Sequence, residues 1–328
     1  MSKRNQSSQQ TLDVIVPVFN EEAAIHQFHQ LLIQTLDTVD LRCRIIYVND
    51  GSSDGTQAAL QALAQTDERI TVVELSRNFG HQAALTAGMD LSNADYTVTL
   101  DGDGQHPPAL ITEMLALARQ GYDIVLTQRV EAQKAAGFKR WTSEAFYRLI
   151  NRMGETRILP GGADFRLLSR TAVAKLKTMR EYHRFLRGMV AWMGFKTVIL
   201  PFTPPARLAG NSKYSLRKMI RLGMNAIFSF SLMPLYAAVT IGGIFLLLAL
   251  AEAVYVLSFW VTGNTAQLAP GWSSLMFMLL IIGGSLMVTL GLIGIYIGYI
   301  FQEVKGRPIY LVRTQTPASL AGPHETTD

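Results

Sequence analysis

Cysteine is nearly missing from this chain, with Cys43 alone among 328 residues. That excludes an intrachain disulfide, leaves no cysteine-based ligand set for structural zinc, and gives no sign of an oxidising compartment. Internal repeats and low-complexity tracts are lacking as well. So is a signal-peptide core. The polar opening "MSKRNQSSQQTL" runs into an apolar segment too short and too β-branched for one, so residues 1–12 read as a disordered N-terminus that stays in the cytoplasm.

What the chain does carry is a formal net charge of +5 and a hydrophobic fraction of 49%. The charge leaves three anionic partners in contention: nucleic acid, phosphorylated substrates and an anionic membrane surface. The apolar excess is concentrated towards the C-terminus, and the length suffices for one large domain or two small ones.

From Asp13 to about Val130, short apolar runs alternate with amphipathic segments. "DVIVPVF", "CRIIYVND", "TVVELS", "YTVTLD" and "DIVLTQR" read as strands buried on both faces; Glu21–Leu36, Thr56–Gln65, Gln82–Leu91 and Pro108–Gln120 have helical periodicity. The pattern predicts a doubly wound α/β domain, in which ligands bind at the carboxyl ends of the strands. The polar clusters Asn20-Glu21, Asp50-Gly51, Asp101 to Gln105 and Gln128-Arg129 all fall at such ends.

Further on, residues 137–154 place Phe138, Trp141, Ala145, Leu149 and Met153 on one helical face, suited to a membrane interface or to packing on the sheet. Two apolar stretches, 230–261 and 272–301, each exceed the roughly 20 residues that cross a bilayer, and both read as transmembrane helices. Residues 213–229 precede them as a juxtamembrane amphipathic helix. Residues 262–271 form a periplasmic loop without Lys or Arg, and residues 302–328 a cytoplasmic segment whose tail is disordered from Thr314. Lys213, Arg217, Lys218 and Arg221 before the spans, and Lys305, Arg307 and Arg313 after them, put the 13–212 domain and both termini in the cytoplasm by the positive-inside rule. Glu252 either reaches the outer interface or serves a role within the membrane.

The motif "TLDGDGQHPP" places Asp101 and Asp103 in a glycine-flanked turn. Paired hard oxygens there suit Mg²⁺ or Mn²⁺, whose remaining coordination is filled by water and a substrate diphosphate; Gln105 adds a carbonyl ligand or a hydrogen bond. Asp50 in "VNDGSSDGT" can accept from a nucleobase or a ribose hydroxyl, while Asp54 reads as a helix N-cap. In "VPVFNEE", Pro17 and Phe19 can pack on a base, or Phe19 can be plain core, and Asn20 or Glu21 can bond the base edge. Asp164 in "GGADFRLLSR" orients an acceptor or a sugar hydroxyl, or pairs with Arg166. His81 and His106 lack a second histidine at ligand spacing and are not read as metal ligands.

Taken in order from about residue 13 to 312, "VPVFNEE", "VNDGSSDGT", "LSRNFGHQAALTAGMD", "LDGDGQHPP", "TQRV", "FRLLSR", "RFLRGMVAWMGF", "RLAGNSKYSLRKMIRL" and "IGYIFQEVKGRPIYLV" resemble the polyprenyl-phosphate glycosyltransferases of family 2. The likeness is to bactoprenol glucosyltransferases and, more distantly, to dolichol-phosphate mannose synthase. It implies a GT-A doubly wound, mostly parallel sheet followed by interfacial amphipathic helices and two transmembrane helices in a bacterial inner membrane. It further implies that Pro17, Phe19, Asn20, Glu21, Asp50 and Asp101 hold a nucleotide sugar, UDP-glucose above others, and that Asp101, Asp103 and Gln105 bind Mg²⁺ or Mn²⁺. Arg129, Arg207 and Lys213, with Arg140 as a looser match, would face the phosphate of undecaprenyl phosphate, and Asp103, Arg129, Asp164 and Arg207 would be catalytic. Where relatives commonly read D-A-D-L-Q, this chain has Gly102 and Gly104, from which a more flexible loop is expected.

Rival readings are a processive polysaccharide synthase, a non-catalytic sensor or scaffold for nucleotide sugars, and transfer of another sugar such as mannose or a modified arabinose. The first lacks its Q-x-x-R-W string here. A nucleic-acid partner is disfavoured because the basic residues gather beside the apolar spans rather than along an aromatic groove. Association into a homo-oligomer stays open.

Overall fold

The structure, a computed structural model, describes residues 9–130, 162–182, 184–205, 233–263 and 271–316. Arg140, Arg207 and Lys213, the helix expected over 137–154 and the juxtamembrane helix over 213–229 lie outside the described residues. Two compact units are distinguished, one holding the sheet together with the segment after Pro308, the other holding the long helices up to Arg307.

In the first unit, β1 (Thr11–Val18), α1 (Glu22–Leu36), β2 (Arg42–Asn49), α2 (Thr56–Thr66), β3 (Ile70–Leu75), α3 (His81–Leu91), β4 (Tyr96–Thr99), α4 (Leu110–Arg119) and β5 (Ile124–Arg129) follow the alternation read from the sequence. They are followed by β6 (Gly162–Ser169), α5 (Arg170–Thr178), α6 (Leu186–Trp192), β7 (Thr197–Phe202) and, after the second unit, β8 (Val312–Gln315). The sheet runs β7-β5-β6-β4-β1-β2-β3-β8. β1 is parallel to β2 and β4, β2 to β3, and β5 to β7. β6 is antiparallel to both β4 and β5, and β8 antiparallel to β3.

The central strands are buried on both faces, as strands covered by crossover helices must be. α1 buries Ile25, Phe28, Leu32 and Leu36, and α4 buries Ile111, Met114, Leu115 and Ala118. Both sets follow the three-or-four-residue spacing of one helical face, and both helices pack into the cluster of Leu12, Val14, Val16, Ile45 and Tyr47. α3 sits deeper, with seven consecutive residues from Ala83 to Met89 buried.

β1 begins at Thr11, two residues before Asp13, because the Thr11 N–H and hydroxyl both donate to Asp95 (2.9 and 3.0 Å). At the other end of the chain, Thr314 does not begin a disordered tail. It lies in β8, where its hydroxyl donates to Glu74 at 2.9 Å, and the next residues continue the pairing until the Thr316 N–H meets the Val72 carbonyl at 3.0 Å. The physical reason is the outer edge of β3, whose row of backbone groups needs partners, and β8 supplies them.

In the second unit, α7 (Met233–Thr262) and α8 (Trp272–Val304) are long apolar helices that contact each other. Within α8 the 24-residue stretch Ile281–Val304 is long and apolar enough to cross a bilayer.

Candidate active site

The site forms where five strand ends meet. β1, β2, β4 and β5 deliver their carboxyl ends, and β6, running the opposite way, delivers its amino end. Register makes the consequence explicit. Thr99 of β4 pairs with Arg166 of β6, so two residues further along each strand Asp101 comes opposite Asp164. The Thr99 hydroxyl, donating to the Asp164 carbonyl at 2.6 Å, pins that junction.

Asp101 and Asp103 stand in the turn that follows β4, both partly exposed. Asp103 Oδ1 accepts from the Gln105 N–H at 3.0 Å, which curls the turn on itself. Asp101 Oδ1 is buried and has no hydrogen-bond partner among the described residues; its nearest cation is His81 Nε2 at 3.4 Å. Each of the two glycines has a local role in the turn. Gly104 has φ +78°, a conformation that favours glycine, and a Cβ on Gly102 would stand 3.2 Å from Val18 Cγ1. The loop is closely fitted to β1.

Asp164 is buried and heavily engaged. Arg187 Nε and Nη2 donate to its two oxygens at 3.1 and 3.0 Å, Arg166 donates to Oδ1, and His81 Nε2 lies 3.5 Å from Oδ2. Burial alone would raise this carboxyl, but Arg187, His81 and Arg166 outweigh it and hold it well below the usual carboxylate range. The same geometry acts in reverse on His81. Burial would lower the imidazole, yet the carboxylates of Asp101 and Asp164 carry it to about 9.

His106, fully buried, stacks on Phe165 with ring centroids 5.4 Å apart. Its Nδ1 faces the Asp101 N–H at 3.0 Å, and its Nε2 faces Arg129 Nη2, also at 3.0 Å. A single imidazole therefore lies between the Asp101 amide and the guanidinium at the end of β5. Gln105 Oε1 lies 3.5 Å from Arg129 Nη1.

Towards the end of β1, Pro17 is buried opposite Val48. Ile15 directs its carbonyl to β4 and Val18 directs its own to β2, so by alternation Pro17 faces the β4 side, beyond the last β1–β4 pair at Ile15. A residue without an N–H is tolerated there. Phe19 is 36% exposed at the strand end. Asn20, at φ +54°, ties two loops together, donating its N–H to the Ser52 hydroxyl (3.0 Å) and accepting from the Ser53 N–H (2.9 Å). The Glu21 N–H donates to Thr56 Oγ1; the N-cap of α2 is Gly55 rather than Asp54, and Asp54, one residue further out, accepts from the Thr56 N–H at 3.1 Å. Asp50 is buried, and its oxygens accept from the N–H groups of Phe79 and Gly80 at 2.7 and 2.9 Å. Burial raises its carboxyl, and the two amides oppose the rise. Asp50 thus fixes the loop entering α3.

Among the described residues no group of three or more His, Cys, Asp or Glu side chains could hold a metal ion. Among the described residues the candidate donors for Mg²⁺ or Mn²⁺ are Asp101 and Asp103, with Gln105 beside them. Such a set suits a cation that completes its shell with phosphate oxygens and water, and the buried Oδ1 of Asp101, which accepts no hydrogen bond among the described residues, fits that use.

Residues 13–177, about half of the chain, match glycosyl transferase family 2. The chain belongs to this family. An uncharacterised glycosyltransferase of Synechocystis sp. is 38% identical over 301 residues, covering 92% of this chain and 94% of its own. The SfII prophage-derived bactoprenol glucosyl transferase of Shigella flexneri is 34% identical over 308 residues, 92% of this chain and 97% of its own. Among solved structures, a mannosyltransferase from Pyrobaculum calidifontis in complex with GDP-Man and Mn²⁺ matches 87% of this chain and 88% of its own, at 17% identity and a TM-score of 0.43. This family 2 protein is a glycosyltransferase homologous to bactoprenol glucosyl transferases over nearly its whole length, the apolar C-terminal helices included.

Sequence reasoning left Arg187 without a role, although it stands in the quoted string "RFLRGMVAWMGF". It also set His81 and His106 aside as non-ligands, whereas each links two parts of the site. The signal for Arg187 was a second arginine three residues after Arg184 in a helix start, which carries no direction until β6 is placed.

Proposed function

We propose that this family 2 glycosyltransferase moves a hexose, glucose from UDP-glucose, onto undecaprenyl phosphate at the cytoplasmic face of a bacterial inner membrane. The observation that carries the reading is the one-imidazole separation of the Asp101 turn from the Arg129 guanidinium, both contacts at 3.0 Å. A turn whose carboxylates suit a metal-bound donor diphosphate thereby stands one buried imidazole away from a cation suited to an acceptor phosphate.

In the proposed reaction Asp101 and Asp103 hold the divalent cation, with Gln105 as an additional ligand or hydrogen-bond partner. The ion, when bound, neutralises charge on the departing nucleoside diphosphate. Pro17, Phe19, Asn20, Glu21 and Asp50 shape the nucleotide end, Asn20 and Asp50 by fixing the loops. Arg129, joined by Arg207, Arg140 and Lys213, orients the lipid phosphate, because guanidinium forks grip phosphate oxygens in a defined geometry. A phosphate monoester has its second pKa near about 6, so at pH 7 the nucleophile is mostly a dianion already and needs no strong general base. In-line attack at the anomeric carbon inverts it, giving a β-linked lipid-phosphate sugar from an α-linked donor.

Ile281–Val304 serves in this reading as one membrane span and α7 as the second, which keeps the catalytic unit beside its lipid acceptor. Detergent-purified protein is offered labelled UDP-glucose, undecaprenyl phosphate and Mg²⁺ or Mn²⁺. Transfer of label to lipid, lost with EDTA and in Asp103→Ala, is the expected result. Nucleotide-sugar binding without turnover across a panel of UDP and GDP sugars would favour the sensor instead.

A further inference from the structure

The string "RPIYLVR", Arg307–Arg313, follows α8 and enters no step of the reaction proposed above. Its last residues open β8 on the outer edge of β3, and the pairing there is irregular. Val73 pairs with Gln315 and Glu74 with Thr314, but Leu75 pairs with Val312, so Arg313 is an extra residue on β8 with none opposite it. A bulge of this kind re-aims a side chain. Arg313 Nη1 reaches Glu74 Oε1 at 3.0 Å, and its Nη2 donates to the Ser76 carbonyl at 2.9 Å.

Ser76 is where that second bond matters. β2 pairs with β3 only as far as Glu74. Beyond that point the Ser76 N–H donates to the Leu311 carbonyl at 2.9 Å while its own carbonyl accepts from Arg313, so residues 311 and 313 hold both backbone groups of the residue at which the chain leaves the sheet. Loop 77–80 begins at the next residue. Its Phe79 and Gly80 N–H groups are the two that Asp50 accepts, at 2.7 and 2.9 Å, and its backbone lies against Gly51, where a Cβ would stand 2.6 Å from Asn78 N.

Stability is not what Arg313 chiefly supplies. Its side chain is 59% exposed, and an ion pair so placed contributes little. The strap from Tyr310 to Thr316 has other anchors. The Thr316 N–H donates to the Val72 carbonyl at 3.0 Å, the Val72 N–H donates to the Thr316 hydroxyl at 2.9 Å, and the Tyr310 hydroxyl donates to Asp90 Oδ2 at 2.8 Å. With Arg313 removed these bonds stay, and what is lost at Ser76 is the hold on its carbonyl.

We propose that Arg313 is a positioning residue for the nucleotide sugar: bulged out of β8, it holds the Ser76 carbonyl and so keeps loop 77–80 closed on Asp50, at the nucleotide end of the site. This inference rests on the reading that Asp50 and its neighbours shape that end. Loss of one hydrogen bond weakens closure by about threefold to tenfold, and affinity falls with the closed fraction.

The probes are UDP and GDP, each with Mg²⁺, titrated by calorimetry into the full chain in detergent. For the nucleotide that binds the wild type, Arg313→Ala should raise the Kd about threefold to tenfold. Glu74→Ala removes the ion pair and the acceptor of the Thr314 hydroxyl but leaves the bond from Arg313 to Ser76, so it should lower Tm and leave that Kd unchanged. In steady-state kinetics Arg313→Ala should raise the KM for the nucleotide sugar while kcat and the KM for lipid phosphate stay at wild-type values. A merely structural defect would instead reduce the active fraction, and with it kcat, without moving the Kd.

An unchanged Kd in Arg313→Ala, with the wild type binding, overturns the positioning role alone. So does a Glu74→Ala variant that weakens the nucleotide as much as Arg313→Ala does, because the effect would then belong to the sheet edge in general. A wild type that binds neither nucleotide overturns the donor reading itself, and the role of Arg313 falls with it.

Discussion

Replacing Arg187 by alanine removes the bidentate partner of a buried carboxylate. Asp164 has a side chain 9% exposed, and Arg187 Nη2, on a side chain 32% exposed, lies 3.0 Å from its Oδ2. Breaking a buried ion pair by deleting one member costs about 3–5 kcal/mol when the remaining charge is left alone. Here Asp164 keeps Arg166 and His81, and the lost guanidinium was partly solvated, so the expected loss is about 2 kcal/mol. For a domain of this size that corresponds to a fall in Tm of about 4–8 °C. The assay is thermal unfolding of the metal-free protein in detergent at pH 7, followed by tryptophan fluorescence. Arg187→Lys retains the charge but not the fork, and should recover roughly half of the loss. A cycle with Asp164→Asn then isolates the pair, since residues in direct contact do not add. A Tm for Arg187→Ala within about 1 °C of wild type, or strict additivity in the cycle, would refute the claim that this fork holds Asp164.

Further perturbations probe the neighbours. His81 has its pKa raised from 6.5 to about 9, so the stability it contributes is fully present below 6.5 and is lost as pH rises through about 9. Because its side chain is 40% exposed, screening reduces that contribution to about 1 kcal/mol. Tm measured in EDTA should fall across this window for wild type and stay flatter for His81→Gln; parallel curves would contradict the assignment. Gly104→Ala forces a side chain into φ +78°, at a cost of about 1–2 kcal/mol. Steady-state kinetics should show a raised KM for the nucleotide sugar with that for lipid phosphate unchanged. Truncation after Leu311 deletes β8, uncovers the edge of β3, and removes the bonds from Thr314 to Glu74 and from Thr316 to Val72. Light scattering should reveal faster aggregation than in the full chain, and equal rates would mean that β8 does not protect this edge.

Much of the architecture was readable in the residues because it rests on periodicity. The five strands from β1 to β5 and their intervening helices are short apolar runs set between amphipathic ones, a pattern dictated by burial on two faces of a sheet. β6 escaped that reading although "DFRLLS" is largely buried, since its direction and its place between β4 and β5 depend on register rather than composition. The site divides along the same line. Asp101, Asp103 and Arg129 stand at strand ends and announce themselves by type and position. That Asp164 lies opposite Asp101, or that Arg187 reaches across from α6, follows only once an antiparallel strand has been inserted. Hydrogen bonds spanning 23 residues or more, such as those of Arg129 with His106 and Arg187 with Asp164, have no local sequence signature.

The environment of Asp164 also bears on what chemistry the proposed reaction requires. Two arginines and His81 hold this carboxyl well below its usual range, and a carboxylate stabilised in its ionised form is correspondingly a weak base. A transferase acting on an alcohol would need something stronger, because a hydroxyl must lose its proton as it attacks. A phosphate monoester arrives with its oxygen already ionised at neutral pH. An acid-depressed Asp164 is therefore consistent with the proposed phosphate acceptor, which asks no base of it. What the group can do in this setting is hold charge in place: it fixes Arg166, Arg187 and His81 around the cleft, and His81 in turn lies 3.4 Å from Asp101. Under the proposed reaction Asp164 then serves orientation and electrostatics rather than proton abstraction, a division of labour that a nucleophile already ionised in solution permits.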